Sequence, residues 1–559
     1  MLSTKASALL LVLPATYGLS LVAWHVLRRV LIAKHIGSAN LIRLKSGREE
    51  DEKIPGTAVI CGGSIAGLLA ARVCREHFER VVIVEAEPWL ATDEALRVDG
   101  WKLLRQPRAR LMQWNSLHSS QPFFFAGLQN LFPNIGEECE RSKIPVRHWN
   151  PRYATSGALW RLPTYAYKKT GLPKTMFTSR HGLETFLRRL VLDKDAYPNM
   201  EILTGTVTDV LPDEADPSRL SKVVYRTEAG ATEEISAALV ADCTGPTRAG
   251  VKWLGRHGYG TAPSYPGDTL PLDQLKISLD QKLHYSSITY SLTQEQMDRL
   301  PLPADMKDDR PILTNLEDVT EASVASGRGY LVIWRKDENQ IVAFTGHTGS
   351  VRFLASTVDH LREYALSMHS PQPYPDWLWG VLDVLEEAQD TAVVSQLKVP
   401  PTTYIRYARG TNLPSNFVAL GDSVMTVNPI FGEGCTKAMR CVLALHIELL
   451  RAQKTSGRVL PSTFAKDFFA EERDKTEWLW DNTRVADYGA PTTEPISGES
   501  LSEGAGLRWY IMWLQRLAPF DDHAGLAMYS AVTGFASPID ALHPNLVAKI
   551  LWHGLVLGK

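Results

Sequence analysis

With 559 residues, 44% of them apolar, the chain can build a large core of two packed domains with appendages, and is not disordered as a whole. Its 60 basic and 62 acidic residues leave a net charge of −2, which excludes the electrostatic footprint of a nucleic-acid binder or of a partner for an acidic polymer. Six scattered cysteines (Cys61, Cys74, Cys139, Cys243, Cys435 and Cys441) form no C-x-x-C pair, and no histidines cluster at metal spacing, so buried thiols in a reducing compartment are expected and no metal centre.

The amino terminus opens with "ASALLLVLPATYGLSLVAWHVL", residues 6–27, which carries no formal charge and ends at Arg28 and Arg29. As a helix it is roughly 33 Å long, enough for a bilayer core of about 30 Å, and spanning helices tolerate residues such as Pro14 and Gly18. It is read as a retained transmembrane anchor, against a cleaved signal peptide or a buried soluble helix. The basic residues Arg28, Arg29, Lys34, Arg43 and Lys45 place the rest of the chain on the cytoplasmic side, on the endoplasmic reticulum if the cell is eukaryotic. Residues 35–56, containing "SGREEDEKIPG", read as a solvated linker.

From residue 57 the pattern is strand, glycine turn, helix, strand: a βαβ unit over 57–85. Its turn, within "VICGGSIAGLLAARVC", departs from G-x-G-x-x-G because Ser64 stands at the middle glycine. Gly62 makes the turn, Gly63 and Ser64 offer backbone to a pyrophosphate, and Gly67 lets the helix pack on the strand, with the helix N-terminus favouring the anion. Glu85 follows Gly62 by 23 residues, at the end of the next strand, where a carboxylate accepts from ribose hydroxyls. Strand, Gly-x-Ser-x-Ala and helix also describe a hydrolase elbow, but that elbow follows several strands and is followed by an acid and a histidine in distinctive contexts, which are not seen here.

Further along, "SRHGLETFLRRLV" has helical spacing, "EILTGTVTDVL" alternates like a strand, and "AALVADCTG" is an apolar strand closed by a glycine turn. Residues 256–404 hold strand candidates such as "YLVIWRK" and "QIVAFTG" without a nucleotide fingerprint, as expected of a substrate domain inserted into the nucleotide fold. Then comes "NFVALGDSVMTVNPIFGEGCTKAMRCVLALHIELL", a strand, a long turn and a helix, followed by a helical region over 456–559.

Four segments in this order resemble a known family. "GDSVMTVNPIFGEG" looks like the G-D-(x)-P-x-x-G-x-G signature of the single-component FAD-dependent monooxygenases, the group that includes aromatic hydroxylases and squalene epoxidase. "ADCTGPTR" is similar to the family's middle Asp-x-x-Gly segment. "SRHGLETFLRRLV" and "RLMQWNSLHSSQPFFFAGLQNLFP" resemble the Ser-Arg helix and the Gln, His and Leu-Phe-Pro stretch of its lipophilic-substrate branch. The resemblance implies an α/β fold: a Rossmann-like FAD-binding domain of the glutathione-reductase type in two parts, 57–255 and 405–455. A mixed-sheet substrate domain is inserted between them, with a transmembrane helix over 1–34 before and a helical region behind.

It also implies roles. Asp422 binds the ribityl hydroxyls of FAD; Pro429, Gly432 and Gly434 let bare backbone pass the isoalloxazine ring; and the helix from Cys435 aims its N-terminus at the pyrimidine edge, favouring the reduced flavin. Arg180 reaches the flavin or pyrophosphate, Asp242 and Gly245 shape the pyrophosphate region and the domain junction, and Gln113 and His118 are weaker candidates. Trp101, Trp114 and Phe123 to Phe125 read as packing. The implied reaction uses NADH or NADPH, a transient visitor, to reduce FAD, and molecular oxygen to hydroxylate or epoxidise a lipophilic substrate at the membrane, such as a terpenoid, meroterpenoid or polyketide intermediate. No catalytic side chain is assigned. A flavin halogenase, whose W-x-W-x-I-P motif is absent, a flavin reductase or dehydrogenase on prenyl chains, and a non-enzymatic scaffold are the alternatives.

Overall fold

A computed structural model describes residues 4–557 except 109, 156, 350, 351 and 371. The apolar run at the amino terminus lies in one long helix, α1 (Thr4–Leu31). Among the described residues no helix is long and apolar enough to cross a membrane, and the side chains of residues 4–14, which carry much of the expected span, lie outside the described ones. The rest of α1 is fastened to the carboxy-terminal region: Trp24 Nε1 donates to the Ile539 carbonyl oxygen at 2.8 Å, and Arg28 pairs with Asp540.

The expected linker is not a solvated one. Ile36, Leu41 and Leu44 are buried in the main core, and Arg48 donates to the Gly457 and Leu449 carbonyl oxygens. Apolar side chains three residues apart inside "ANLIRL" bury one face of this segment, which the charge density of the neighbouring "REEDEK" hides in the sequence.

The first sheet runs in the order Phe417–Ala419, Leu239–Asp242, β1 (Ile54–Cys61), β2 (Phe78–Glu85), Met200–Pro212, Leu220–Thr227, Thr232–Ser236. Its first five strands are parallel, with antiparallel strands added at the far edge. The continuous apolar runs of β1 and β2 are buried on both faces, as parallel sheets require, with α2 (Ile65–Arg75) packed on one side and the Gly434–Ser456 helix packed on α2. Parallel strands end on the same edge, so whatever follows each strand converges there.

The second sheet, of seven strands, carries the segments 283–291, 311–316, 329–336, 340–348 and 393–398. It also takes Tyr153–Thr155 and Ala158–Leu159, which lie inside the stretch expected to belong to the FAD part alone. These strands are too short to show alternation. One face of this sheet packs on the helices Val358–Ser367 and Asp376–Glu387. The other is an aromatic wall of Trp149, Phe177, Tyr285, Trp334 and Phe344, joined by Ile430 and Tyr529. The six cysteines are all buried thiols.

Two buried histidines link the halves of the nucleotide fold. His446 Nε2 lies 2.7 Å from the Arg43 carbonyl oxygen and so carries a proton; its Nδ1 then accepts from His77 Nε2 at 3.1 Å, leaving both rings neutral. Burial lowers the His446 pKa to about 4 and holds that of His77 well below the ordinary histidine value. Because the folded-state values are depressed, this pair contributes stability above the ordinary histidine range that is lost as pH falls toward about 4. Buried Glu472, pushed up to about 8, works in the opposite direction across the same interval. Comparison with a variant isolates the pair: denaturation midpoints of H77Q/H446Q should fall less than those of the wild type between pH 6.5 and 4.5 (roughly the window between the ordinary and depressed values).

Candidate functional site

The C-terminal edge of the parallel sheet gathers the glycine turn after β1, Glu85 at the end of β2, Asp242 at the end of its strand, and the Gly421–Asp422 turn after Phe417–Ala419. The turns touch. A Cβ on Gly67 would stand 1.9 Å from the Gly62 carbonyl oxygen, so helix and strand approach as only glycine allows. A Cβ on Gly421 would stand 2.7 Å from Ala66 Cβ, so the distant loop packs on the first turn of α2. Asp242 closes the junction: its Oδ1 accepts from Ser423 Oγ at 3.1 Å and from the Thr244 N–H at 2.9 Å, and its Oδ2 accepts from the Gly250 N–H at 2.9 Å. Asp242 thus ties its strand end to the 421–423 turn, and the Gly245 N–H donates to Ser423 Oγ at 2.9 Å.

Ser64 caps α2 in extended conformation, and its Oγ accepts from Arg180 Nη2 at 2.9 Å. An arginine cannot serve as a base, which removes the hydrolase-elbow reading. The first N–H groups of α2 have no acceptor within the helix and lie at the sheet edge, as an anion site requires. Glu85 receives the Gly63 N–H on one oxygen at 2.6 Å and the Glu87 N–H on the other at 3.0 Å, which fixes its carboxylate at the strand end.

The sequence reading missed the charge network behind this turn. Arg180, Glu184 and Arg188 stand one helical turn apart on Arg180–Val191, and Arg108 joins Glu184 to Glu87. Arg188 donates to the Gly63 carbonyl oxygen at 2.5 Å. Burial pushes the Glu184 carboxyl up, but the fields of Arg108, Arg180 and Arg188 outweigh it and hold it below its ordinary value. The four-residue spacing inside "SRHGLETFLRRLV" is the signal that points to it.

On the other loop, Asp422 is half-exposed and pairs with buried Lys437 Nζ at 2.6 Å. Pro429 opens a short turn that Asn428 caps through the Ile430 N–H at 3.0 Å, and Asn428 Nδ2 donates to Asp487 Oδ1 at 2.7 Å. Gly432 lies against Ser119, whereas a Cβ on Gly434 would meet nothing within 4 Å, and Cys435 is buried in the first turn of the Gly434–Ser456 helix. Glu433, between the two glycines, receives Gln121 Nε2 at 3.2 Å; burial pushes its pKa up to about 7 against the field of Arg440 and the hydrogen bond from Gln121. His118 lies on the substrate-sheet side, its pKa lowered to about 3 by burial and the field of Arg180. The structure therefore brings together Gly62, Gly63, Ser64, Gly67, Glu85, Arg180, Asp422 and the 429–435 loop along one edge.

The two-sheet scaffold is similar in fold to solved flavin-dependent enzymes. The flavin-dependent brominase Bmp2 is similar over 89% of this chain and 98% of its own, at 13% identity and a TM-score of 0.50. PqsL, a probable FAD-dependent monooxygenase from Pseudomonas aeruginosa, is similar over 81% of this chain and 99% of its own, at 15% identity and a TM-score of 0.50. In sequence, Protein Rv3254 of Mycobacterium tuberculosis is 22% identical over 456 residues, 78% of this chain and 82% of the relative. No family model matches the chain.

Proposed function

We propose that the chain is an FAD-dependent monooxygenase that hydroxylates or epoxidises a lipophilic small molecule. The observation that carries this reading is the convergence of the 62–67 turn, Glu85 and the 421–435 loop on one sheet edge. The residues fit the cofactor: steric room exists only for bare backbone at Gly62 and Gly67, the Glu85 carboxylate is held by the Gly63 N–H at the strand end, and the 421 turn ahead of the Gly434–Ser456 helix packs on the first turn of α2. Bound FAD would supply the redox and oxygen-activating chemistry that side chains lack.

The chain's own part is positional. Glu85 would hold the adenosine ribose, the N-terminus of α2 with Ser64 and Arg180 the pyrophosphate, and Asp422, steadied by Lys437, the ribityl hydroxyls. The N-terminus of the Gly434–Ser456 helix would offer positive partial charge to bound flavin and favour its reduced form. Asp487 and Asn428 fix the loop next to it, and the aromatic wall from the second sheet excludes water on the substrate side. NADH or NADPH visits as reductant. Contact with a membrane is supported by the exposed Leu19, Val22, Val26 and Val30 of α1 and by Trp552, Leu555 and Val556 near the carboxy terminus.

Purified protein should carry a flavin spectrum. Glu85→Ala and Asp422→Ala should each weaken FAD retention by about 10- to 100-fold, the loss of a hydrogen bond to a charged group. Incubation with NADPH, oxygen and lipophilic phenols or alkenes should yield products one oxygen atom heavier. A bromine-containing product formed only with bromide would instead favour the halogenase reading, which the fold shared with Bmp2 keeps in play.

A further inference from the structure

The hairpin at the edge of the second sheet, Tyr153–Thr155 and Ala158–Leu159, and the carboxy-terminal helix Asp522–Val532 flank a cavity of about 270 Å³. At interior packing density, roughly 0.74, it takes about 200 Å³ of ligand, the size of a two-ring molecule rather than of a bridging water. Tyr153 and Trp160 stack with centroids 4.9 Å apart, and Leu159, Leu162 and Tyr529 add to the apolar lining. The cations that line it are already answered: Arg152 pairs with Asp305 at 3.1 Å and with Asp309 at 2.7 Å, and Arg161 pairs with Asp522 at 3.0 Å. A charged ligand would lose hydration here without gaining an unpaired counter-ion among the described residues.

Two of the lining rings have their polar atoms engaged. Trp160 Nε1 donates to Thr155 Oγ1 at 2.9 Å, and Tyr529 Oη donates to the Trp149 carbonyl oxygen at 2.8 Å. Tyr153 differs, because no hydrogen bond among the described residues uses its Oη. Burial and the field of Glu433 raise its pKa above the ordinary phenol range, so it stays a donor. That field also places the ring near the flavin loop, and Tyr529 belongs to the aromatic wall that Ile430 of the same loop joins. On its other side the Asp522–Val532 helix packs on Pro538–Leu542, the segment that holds α1 through Arg28 and Trp24. The cavity therefore stands between the flavin loop and the exposed apolar flank of the chain.

We propose that this cavity holds the substrate, a neutral and largely apolar molecule whose acceptor oxygen, a carbonyl or an ether, takes the hydrogen bond of Tyr153. This rests on the flavoprotein reading above. The carboxy-terminal helices, to which the family resemblance does not extend, then form one wall of the substrate site, and the paired arginines turn anionic molecules away.

The test uses the full FAD-loaded chain and benzophenone, which is neutral and has two rings and one carbonyl. On irradiation its excited carbonyl takes a hydrogen atom from a neighbouring C–H bond and its carbon joins the carbon radical left behind, so it marks the place where it binds. Mass spectrometry should find the label on peptides from 150–162 and 522–532, and the anion 4-benzoylbenzoate should leave them unmarked. Leu159→Trp, at a side chain 47% exposed, should fill the cavity and remove the label at unchanged FAD content. Equilibrium dialysis against benzophenone and diphenylmethane, which lacks the oxygen, tests the hydrogen bond. The ratio of the two affinities should fall by about three- to tenfold in Tyr153→Phe, the scale of one neutral hydrogen bond. Label confined to other peptides, equal labelling by the anion, or an unchanged ratio in Y153F would overturn the proposal. A chain without flavin absorbance would sink the flavoprotein reading and with it the claim that the molecule held here is a substrate, whereas a flavin-loaded chain unmarked at these peptides sinks only the site.

Discussion

Gly67→Ala should abolish FAD binding and lower stability by about 3 kcal/mol or more, the range of a forced overpacking against atoms that cannot yield. The added methyl would lie 1.9 Å from the Gly62 carbonyl oxygen and 2.9 Å from its carbon, and both belong to backbone held by the Gly62 N–H bond to Val84. Relief requires α2 to move away from β1, which removes the helix N-terminus from the phosphate position. Gly434→Ala is the control, because a methyl there meets nothing within 4 Å. It should leave the denaturation midpoint of the cofactor-free chain unchanged. Measured side by side by chemical denaturation and flavin titration, the two variants separate a fold effect from a cofactor effect. A Gly67→Ala protein that keeps its FAD would mean that the turn does not hold the phosphates.

Arg440→Met should cost about 3 to 5 kcal/mol, since several buried acceptors lose a charged donor together. The Arg440 guanidinium is fully buried, donates to the carbonyl oxygens of His35, Ile36 and Gly534, and lies between the rings of Phe123 at 4.4 Å and Trp478 at 5.1 Å. It therefore clamps the segment that follows α1 and the turn at Gly534 onto the helix that begins in the flavin loop. Arg440→Lys should not rescue it, because an ammonium cannot span three carbonyls while stacking on two rings. Thermal unfolding should register the loss, and limited proteolysis should show new cleavage near residues 32–48. Unchanged proteolysis in both variants would show that this segment is held by its apolar contacts alone.

Much of the C-terminal sheet edge was legible because its determinants are local. A glycine turn between an apolar strand and a helix, and an acid at the end of the next strand, are sequence-adjacent features with one physical use. Asp422 was readable for the same reason, at the end of a short apolar strand before a helix. Tyr529, Asp487 and the Arg108 to Glu184 bridge were not. Their partners lie 380, 59 and 76 residues away, so nothing in their own neighbourhoods marks them. The segment over 35–56 was misread because its charged half masks the Leu41 and Leu44 pair that docks it. Strands 153–155 and 158–159 join the second sheet through pairings no local pattern encodes.

The most direct measurement is a crystal structure of the full chain grown with FAD. The account predicts one extended dinucleotide, with its adenosine ribose on Glu85, its phosphates on the first turn of α2 and its tricyclic ring beside Gly434 and Cys435. Density for FAD elsewhere, or a chain that takes up none at saturating concentration, would contradict it.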